Sequence, residues 1–364
     1  MNREQNNFLV PSEAMYILVG TMVGIGIFSL SNTLVKDVHE DAWISAALGG
    51  IYPLYVGCIG IYMIKKHPSE NILDLSKRYM GKVIGTLLNI LFLVFFILNT
   101  CFVISEFSII YQVYATAFLT PLRIIGITTL MSAVTAYRGL KVVGRVNTVA
   151  FYVTMILLLE TFAALRKGSH LNLMPVFDAG IINIVKSSKD AVFSYSGLEI
   201  LFIIYPYVKN NSRMSKEITK ATSIAVLIYT LTTAVTIYYL SADIVEKSYW
   251  PLITASESLR LTVINNFRII FAFFWIFVAL KSSTNYYFAS AFICGNIFHK
   301  VKRKNIIGVL YLIIVSITLV IGESTVRNKV IGMVIGKITI FNLIYITTVA
   351  FFIFIKKGVK DETN

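Results

Sequence analysis

The chain has 364 residues, of which 56% are hydrophobic and only 14% are charged. A soluble domain carries roughly 25% charged residues, and the mean hydropathy of +0.73 points the same way. The net charge of +14 comes from basic residues that lie between apolar runs, so it indicates membrane topology rather than nucleic-acid binding. These properties exclude an ordinary soluble fold and predict an all-α membrane protein.

Ten apolar stretches are predicted to be transmembrane helices, since about 20 apolar residues span a bilayer. They cover residues 9–33, 42–64, 83–118, 121–137, 147–165, 181–207, 221–242, 264–299, 306–322 and 336–355. The segments on one predicted side of the membrane hold 20 of the 33 Lys and Arg residues. Because basic loops stay inside, both termini are predicted to be cytoplasmic.

The ten stretches fall into two similar sets of five. The third members, 83–118 and 264–299, are equally long and exceed what an upright helix needs; the fourth members are equally short. Five helices per half would place the second half in the membrane in the opposite sense, an architecture common among secondary transporters. We therefore predict one membrane domain over residues 1–364, with repeats in 1–166 and 180–357; the alternative is a coincidence of lengths.

The first stretch carries Gly20, Gly24 and Gly26 near its centre. Glycine destabilises a helix, and a broken backbone inside a membrane persists only where it lines a cavity. The pattern therefore predicts an interrupted helix whose free N–H and C=O groups bind a ligand. The alternative is that Gly20 and Gly24, spaced as GxxxG, pack against another helix.

The first stretch of the second half has small, hydrogen-bonding residues at the matching place. Ser194, Ser196 and Gly197 lie there, and Glu199 follows in the first turn after the predicted break. A carboxylate is favoured at a helix N-terminus. Two interrupted helices at corresponding positions are a good indicator of a transporter's midplane binding site.

These residues carry a family resemblance. The run from Val23 to Phe28, VGIGIF, resembles the glycine motif in the first helix of the amino acid/polyamine/organocation superfamily. The run from Phe193 to Glu199, FSYSGLE, together with the ten stretches and short tails, resembles the spore germination permeases. Members of that family are B subunits of nutrient germinant receptors in endospore-forming bacteria.

The resemblance implies a LeuT-like fold of five plus five helices with broken first and sixth helices. It also implies a germinant sensor in the inner spore membrane, beside an A subunit and a lipoprotein C subunit. By analogy, a small amino acid would place its carboxylate at Gly24, Ile25 and Gly26 and its ammonium at carbonyls near Phe193, Ser194 and Tyr195. Third-helix residues would close the pocket: Asn99, Phe102 and Ser105.

Four charged residues fall inside the predicted spans: Glu106, Glu160, Glu199 and Lys281. Intramembrane charges face the protein interior and are functional candidates by default. Glu160 could instead reach the interface, and Glu106 could lie nearer the surface in its long helix. No metal site, catalytic triad or phosphate loop is evident in the sequence, so no enzymatic activity and no cofactor are predicted.

Lys281 is followed by a hydroxyl cluster, Ser282, Ser283 and Thr284. In sodium-coupled relatives of the LeuT-like fold, hydroxyls of this eighth helix and carbonyls of the broken first helix hold a sodium ion. We predict that the Lys281 ammonium replaces that ion and bridges to carbonyls near Val23 or to Glu106. The response would then be independent of sodium and sensitive to pH. The alternative is a displaced span with Lys281 in an aqueous vestibule.

Three functions compete at this point. The first is a receptor subunit in which amino acid binding shifts a conformational equilibrium that partner subunits detect. The second is a secondary transporter that moves an amino acid with H⁺ or Na⁺. The third, a structural scaffold, leaves two aligned helix breaks unexplained.

Overall fold

The computed structural model describes residues 8–116, 118–258, 267–322, 334 and 336–361. Residues 264–266 of the predicted eighth span lie outside this part of the chain. In chain order the helices are α1 (Pro11–Met22), α2 (Leu30–Val38), α3 (Ala42–Gly49), α4 (Ile51–Lys66), α5 (Ile72–Met80), α6 (Lys82–Tyr114), α7 (Pro121–Arg138), α8 (Leu140–Ala163), α9 (Ile181–Tyr195), α10 (Leu201–Ile204), α11 (Met214–Leu240), α12 (Ala242–Lys247), α13 (Pro251–Ser258), α14 (Phe267–Ile297), α15 (Arg303–Ile321) and α16 (Gly336–Asp361).

The ten spans correspond to these helices alone or in pairs. The first span is α1 with α2, the second is α3 with α4, and the sixth is α9 with α10; the others are α6, α7, α8, α11, α14, α15 and α16. Within the described residues, six helical stretches are long and apolar enough to cross a membrane. One of these stretches, Ile25–Lys66, joins the second half of the first span to the second span.

The two broken spans occupy the centre of the helix bundle. Helix α1 packs against α8, α11 and α14, whereas α9 packs against α2 and α3. The outward faces of the surrounding helices are apolar, with exposed side chains such as Val83, Ile156 and Phe354. In water such a belt would be costly, but in a bilayer it is the surface that contacts lipid.

Several helix bounds differ from the prediction for physical reasons. Helices α8 and α11 begin at Leu140 and Met214, about two turns before the predicted starts. These first turns carry Lys and Arg side chains. Their hydropathy is therefore too low to be predicted as part of a span, although the backbone is helical. The second span bends at Gly50, where a side chain would meet the carbonyl oxygen of Ala47 and the side chain of Val226.

The amphipathic helix α5 was not predicted from the sequence. Asn71 caps it, because its side-chain oxygen accepts from the N–H groups of Leu73 (2.9 Å) and Asp74 (3.2 Å), as a good N-cap residue does. The carbonyl oxygen of Glu70, just before this helix, accepts a hydrogen bond from the Tyr205 hydroxyl. Helix α5 therefore contacts the end of the broken sixth span.

Helices α12 and α13 cover the end of the bundle opposite to α5. The side-chain amide of Asn32 on α2 donates to the carbonyl oxygens of Val245 (3.0 Å) and Glu246 (2.7 Å). The indole N–H of Trp250 donates to a carboxylate oxygen of Glu106 at 2.7 Å. The loop between the seventh and eighth spans is thus attached both to the first span and to the third.

A short main-chain pairing joins the outer ends of α1 and the sixth span on the α5 side. The N–H of Leu9 donates to the carbonyl oxygen of Tyr207 at 2.9 Å, and the N–H of Lys209 donates to the carbonyl oxygen of Leu9 at 2.9 Å. Leu9 is fully buried. The two broken spans are therefore connected at their ends as well as at their breaks.

Replacing Lys209 with proline should weaken this pairing, since proline has no N–H to donate. Val208 has φ −100° and ψ 127°, an extended conformation that suits the residue before a proline. We expect a loss of about 1 kcal/mol, the usual net contribution of one hydrogen bond, measured by thermal unfolding of the purified protein. Lys209→Ala is the matched control, and equal unfolding of the two variants would contradict the prediction.

Candidate functional site

The first break lies between α1 and α2. The N–H of Val23 still donates to the carbonyl oxygen of Val19 at 2.7 Å. Gly24 then turns away with φ −117° and ψ −144°, and a single 3₁₀ turn, Ile25–Ile27, follows. The N–H groups of Ile25 and Gly26 open this turn and have no acceptor among the described residues, as expected at a helix N-terminus.

The three glycines of the first span also permit close packing. A side chain at Gly20 would collide with the Asn147 amide, one at Gly24 would meet the Ser282 hydroxyl oxygen at 3.0 Å, and one at Gly26 would meet that of Ser194 at 3.1 Å. The sequence left two interpretations of these glycines open, an interrupted helix and close packing against another helix. The structure shows both features in this span.

The second break separates α9 from α10. Ser196 is extended, with ψ 154°, and Gly197 has φ +118°, a left-handed conformation that strongly favours glycine. The Ser196 hydroxyl donates to the carbonyl oxygen of Phe193 at 2.7 Å. A 3₁₀ turn, Leu198–Ile200, then leads into α10.

The two breaks lie directly against each other. A Cβ on Gly26 would be 3.3 Å from the Cα of Ser194, and one on Gly197 would be 2.9 Å from the carbonyl oxygen of Thr21. The predicted interruptions near Gly24–Gly26 and Ser194–Gly197 are therefore present and side by side. Free N–H groups of the first span and carbonyls released from the helix of the sixth span come together at this point.

Two tyrosine hydroxyls reach carbonyl oxygens of both breaks. The hydroxyl of Tyr229 on α11 is 2.9 Å from the oxygen of Met22 and 2.9 Å from that of Ser194. The hydroxyl of Tyr286 on α14 is 3.3 Å from the oxygens of Thr21 and Ser196. These tyrosines were not predicted from the sequence, because both contacts join distant spans.

The third-span candidates lie on α6, which contacts the 3₁₀ turn of the first break. All three side chains are buried. The Asn99 amide donates to the carbonyl oxygen of Phe95 at 2.9 Å, while the Ser105 hydroxyl has no partner among the described residues. Phe102 lies between them along the helix. Tyr195, by contrast, directs its hydroxyl away from the breaks, to the carbonyl oxygen of Ala46 at 2.8 Å.

Glu199 is fully buried at the start of the second half of the sixth span. One carboxylate oxygen accepts from the N–H of Gly197 at 2.6 Å, and the other accepts from the Tyr52 hydroxyl. The carboxylate thus caps its own half-helix, where a negative charge is favoured. The Glu199 carboxylate already occupies the N-terminus of the second half of the sixth span. The N–H groups at the matching place in the first span, those of Ile25 and Gly26, are left open to a ligand.

Lys281 is also fully buried, which is inconsistent with the alternative of an aqueous vestibule. Its ammonium donates to the Thr154 hydroxyl on α8 at 3.1 Å, not to a carbonyl near Val23 or to Glu106. That expectation was wrong because Glu106 accepts a hydrogen bond from Trp250 at the end of the bundle that α12 and α13 cover, and because the side chain of Lys281 runs past Gly20 toward α8. The side chain of Glu160 lies outside what the structure describes.

The residues after Lys281 contact the first and the fourth spans. The Ser282 hydroxyl donates to the carbonyl oxygen of Gly20 at 2.9 Å, and Ser283 shares a hydrogen bond of 2.8 Å with Ser132 on α7. The Thr284 hydroxyl is buried without a partner among the described residues. Asn285, which the sequence reading missed, donates to the Thr21 hydroxyl at 3.0 Å.

Paired discontinuous helices around a central site define a class: membrane proteins with a transporter-type fold. The chain resembles two solved structures of that class. One is MhsT in complex with L-phenylalanine, with a TM-score of 0.69, 14% identity and coverage of 95% of this chain and 88% of that one. The other is a Na⁺-coupled sialic acid symporter, with a TM-score of 0.65, 10% identity and coverage of 94% and 80%. The predicted LeuT-like fold is confirmed.

Sequence comparison identifies the family. The family model described as "Spore germination protein" matches residues 9–327, so the chain belongs to that family. Spore germination protein GerQB of Bacillus cereus is 24% identical over 272 residues, 75% of each chain. Spore germination protein YndE of Bacillus subtilis (strain 168) is 24% identical over 310 residues, 84% of this chain and 85% of the relative.

Proposed function

We propose that the protein is the membrane-embedded B subunit of a nutrient germinant receptor and binds a small amino acid between the two breaks. One observation carries the proposal: the open N–H groups of Ile25 and Gly26 lie beside the carbonyls of the sixth-span break. An α-amino acid has a carboxylate for the former and an ammonium for the latter. Helix N-termini are well suited to bind anions.

The remainder of the proposal follows from family membership and topology. The protein resides in the inner spore membrane with both termini cytoplasmic, as a single membrane domain with repeats in 1–166 and 180–357. Ligand binding shifts its conformation, and an A subunit and a lipoprotein C subunit transmit the signal. Its partner in the lipid phase is the bilayer that contacts the apolar belt.

The second candidate is an amino acid transporter coupled to H⁺ or Na⁺. Binding and uptake of radiolabelled amino acids, measured side by side in proteoliposomes, distinguish the two functions. A receptor subunit should bind one or a few amino acids and accumulate none against a gradient. Accumulation by the protein alone would establish the transporter, and the absence of binding across all amino acids would overturn both proposals.

Replacing Gly26 with leucine should abolish amino acid binding in this assay. The added side chain would press on the Ser194 backbone, since even a Cβ would lie 3.3 Å from its Cα, and it would also cover the N–H groups of the first break. Gly295→Leu is the matched control, because nothing lies within 4 Å of a Cβ at that position. A well-expressed Gly26→Leu variant with normal binding would refute the site.

A further inference from the structure

Helix breaks leave main-chain carbonyls without their usual donors. Four such carbonyls, two from each break, face one another in this protein: Thr21, Met22, Ser194 and Ser196. Only Met22 receives a further main-chain hydrogen bond, from the N–H of Gly24 at 3.0 Å, among the described residues. The region is therefore rich in acceptors.

Each tyrosine hydroxyl contacts one carbonyl from each break, so Tyr229 and Tyr286 connect the broken spans in parallel. Both side chains are buried. A tyrosine hydroxyl carries one proton and can donate to one acceptor at a time. Two protons therefore face four carbonyl oxygens, an arrangement that leaves the acceptors short of donors.

Unwound carbonyls of this kind coordinate the coupling cation in ion-driven carriers built on discontinuous helices. A cation satisfies several oxygens at once, but it can dissociate. A tyrosine hydroxyl proton carries only a partial positive charge, but it is covalently attached and therefore always present. The contacts of the two tyrosine hydroxyls do not involve Lys281, whose ammonium donates to the Thr154 hydroxyl at 3.1 Å.

We propose that Tyr229 and Tyr286 are built-in donors that occupy the place of a coupling cation and hold the two breaks together without an ion. The inference goes beyond the proposed function, because it concerns how the unliganded centre is held and applies whichever ligand is bound. Ser282 contributes in the same way, since its hydroxyl donates to the freed carbonyl oxygen of Gly20 at 2.9 Å.

The test uses thermal unfolding of the purified full-length protein in sodium chloride and in choline chloride at equal concentration, with no amino acid present. Tyr229→Phe removes the hydroxyl and keeps the ring, which packs against Tyr195 with centroids 4.8 Å apart. Tyr229→Ser also opens space for an ion. Tyr287 supplies the matched controls, because its buried hydroxyl donates to Ile307 on α15 at 2.7 Å, away from both breaks.

We expect the unaltered protein to unfold at the same temperature in both salts. Tyr229→Phe should unfold at least about 2 °C below Tyr287→Phe, because it removes the one hydroxyl of α11 that contacts carbonyls of both breaks. Tyr229→Ser should be stabilised by sodium relative to choline, whereas Tyr287→Ser should not.

Three results would each overturn the proposal: stabilisation of the unaltered protein by sodium, a Tyr229→Phe variant as stable as Tyr287→Phe, or a folded Tyr229→Ser variant indifferent to sodium. If Tyr229→Ser does not fold, the other two comparisons decide. Because no amino acid is present, the outcome does not depend on whether the protein is an amino acid receptor.

Discussion

Replacing Lys281 with methionine is expected to leave the protein at least as stable as before while lowering its affinity for amino acid at least tenfold. Lysine at the centre of a membrane helix costs about 2.5–3.5 kcal/mol on insertion scales. Within the described residues its ammonium has one hydrogen-bond partner, the Thr154 hydroxyl. Methionine has nearly the same length and removes that cost.

The expected loss of binding follows from where the side chain lies. Its Cδ would be 3.4 Å from a Cβ on Gly20 of α1, and its ammonium reaches Thr154, so Lys281 connects α14 and α8 past α1. We propose that Lys281 fixes the first break in its binding geometry by holding α14 against α8 through Thr154. Stability and binding should therefore change in opposite directions.

Amino acid binding in proteoliposomes, together with the unfolding temperature, checks this prediction. Lys216→Met, at an exposed position on α11, is the matched control and should change neither quantity. The unaltered protein should bind equally well in sodium and in choline. Normal binding by a stably inserted Lys281→Met variant would refute the proposed role.

Replacing Glu199 with alanine should have the largest effect on folding. The carboxylate is fully buried and accepts from the Gly197 N–H and the Tyr52 hydroxyl. Removing it leaves two buried donors unpaired, at about 1–3 kcal/mol each, out of a total stability of roughly 5–15 kcal/mol. We expect the alanine variant to unfold at a much lower temperature or to fail to accumulate.

Three further variants identify the cause of this loss of stability. Glu199→Gln keeps one acceptor oxygen and should be intermediate, and Glu246→Ala, at an exposed position on α12, should unfold like the unaltered protein. In the double variant Tyr52→Phe with Glu199→Ala, the hydroxyl no longer needs a partner, so its loss of stability should be less than the sum of the single losses. Additive losses would show that the two groups do not interact.

The breaks were predictable from sequence because their causes are local. Glycine at positions 24 and 197 lets the backbone leave the helix, and the hydroxyl of Ser196 stabilises the new turn by a bond to the carbonyl oxygen of Phe193. The interruption of the second span at Gly50 was missed, because the backbone there stays close to helical values, with φ −60° and ψ −16°, and the apolar run continues through it.

The contacts that complete the site were not predictable, since they join residues far apart in the chain. Tyr229 lies among several aromatic and hydroxyl residues on α11, and nothing local distinguishes it from its neighbours. The partner of Lys281 was mispredicted for the same reason: a helical sequence shows which face a residue shares, but not which of the packed helices, α1 or α8, that face meets. Tertiary packing decides such contacts.

The main-chain pairing of Leu9 with the end of the sixth span has an evolutionary consequence. Its hydrogen bonds use only backbone groups, so the side chains at positions 207 and 209 are not constrained by the bonds themselves. Related chains can therefore carry other side chains there and still preserve the main-chain connection. In homologous sequences we therefore expect no preferred residue at these positions. Instead, proline should be rare at positions 9 and 209, where the N–H group is needed.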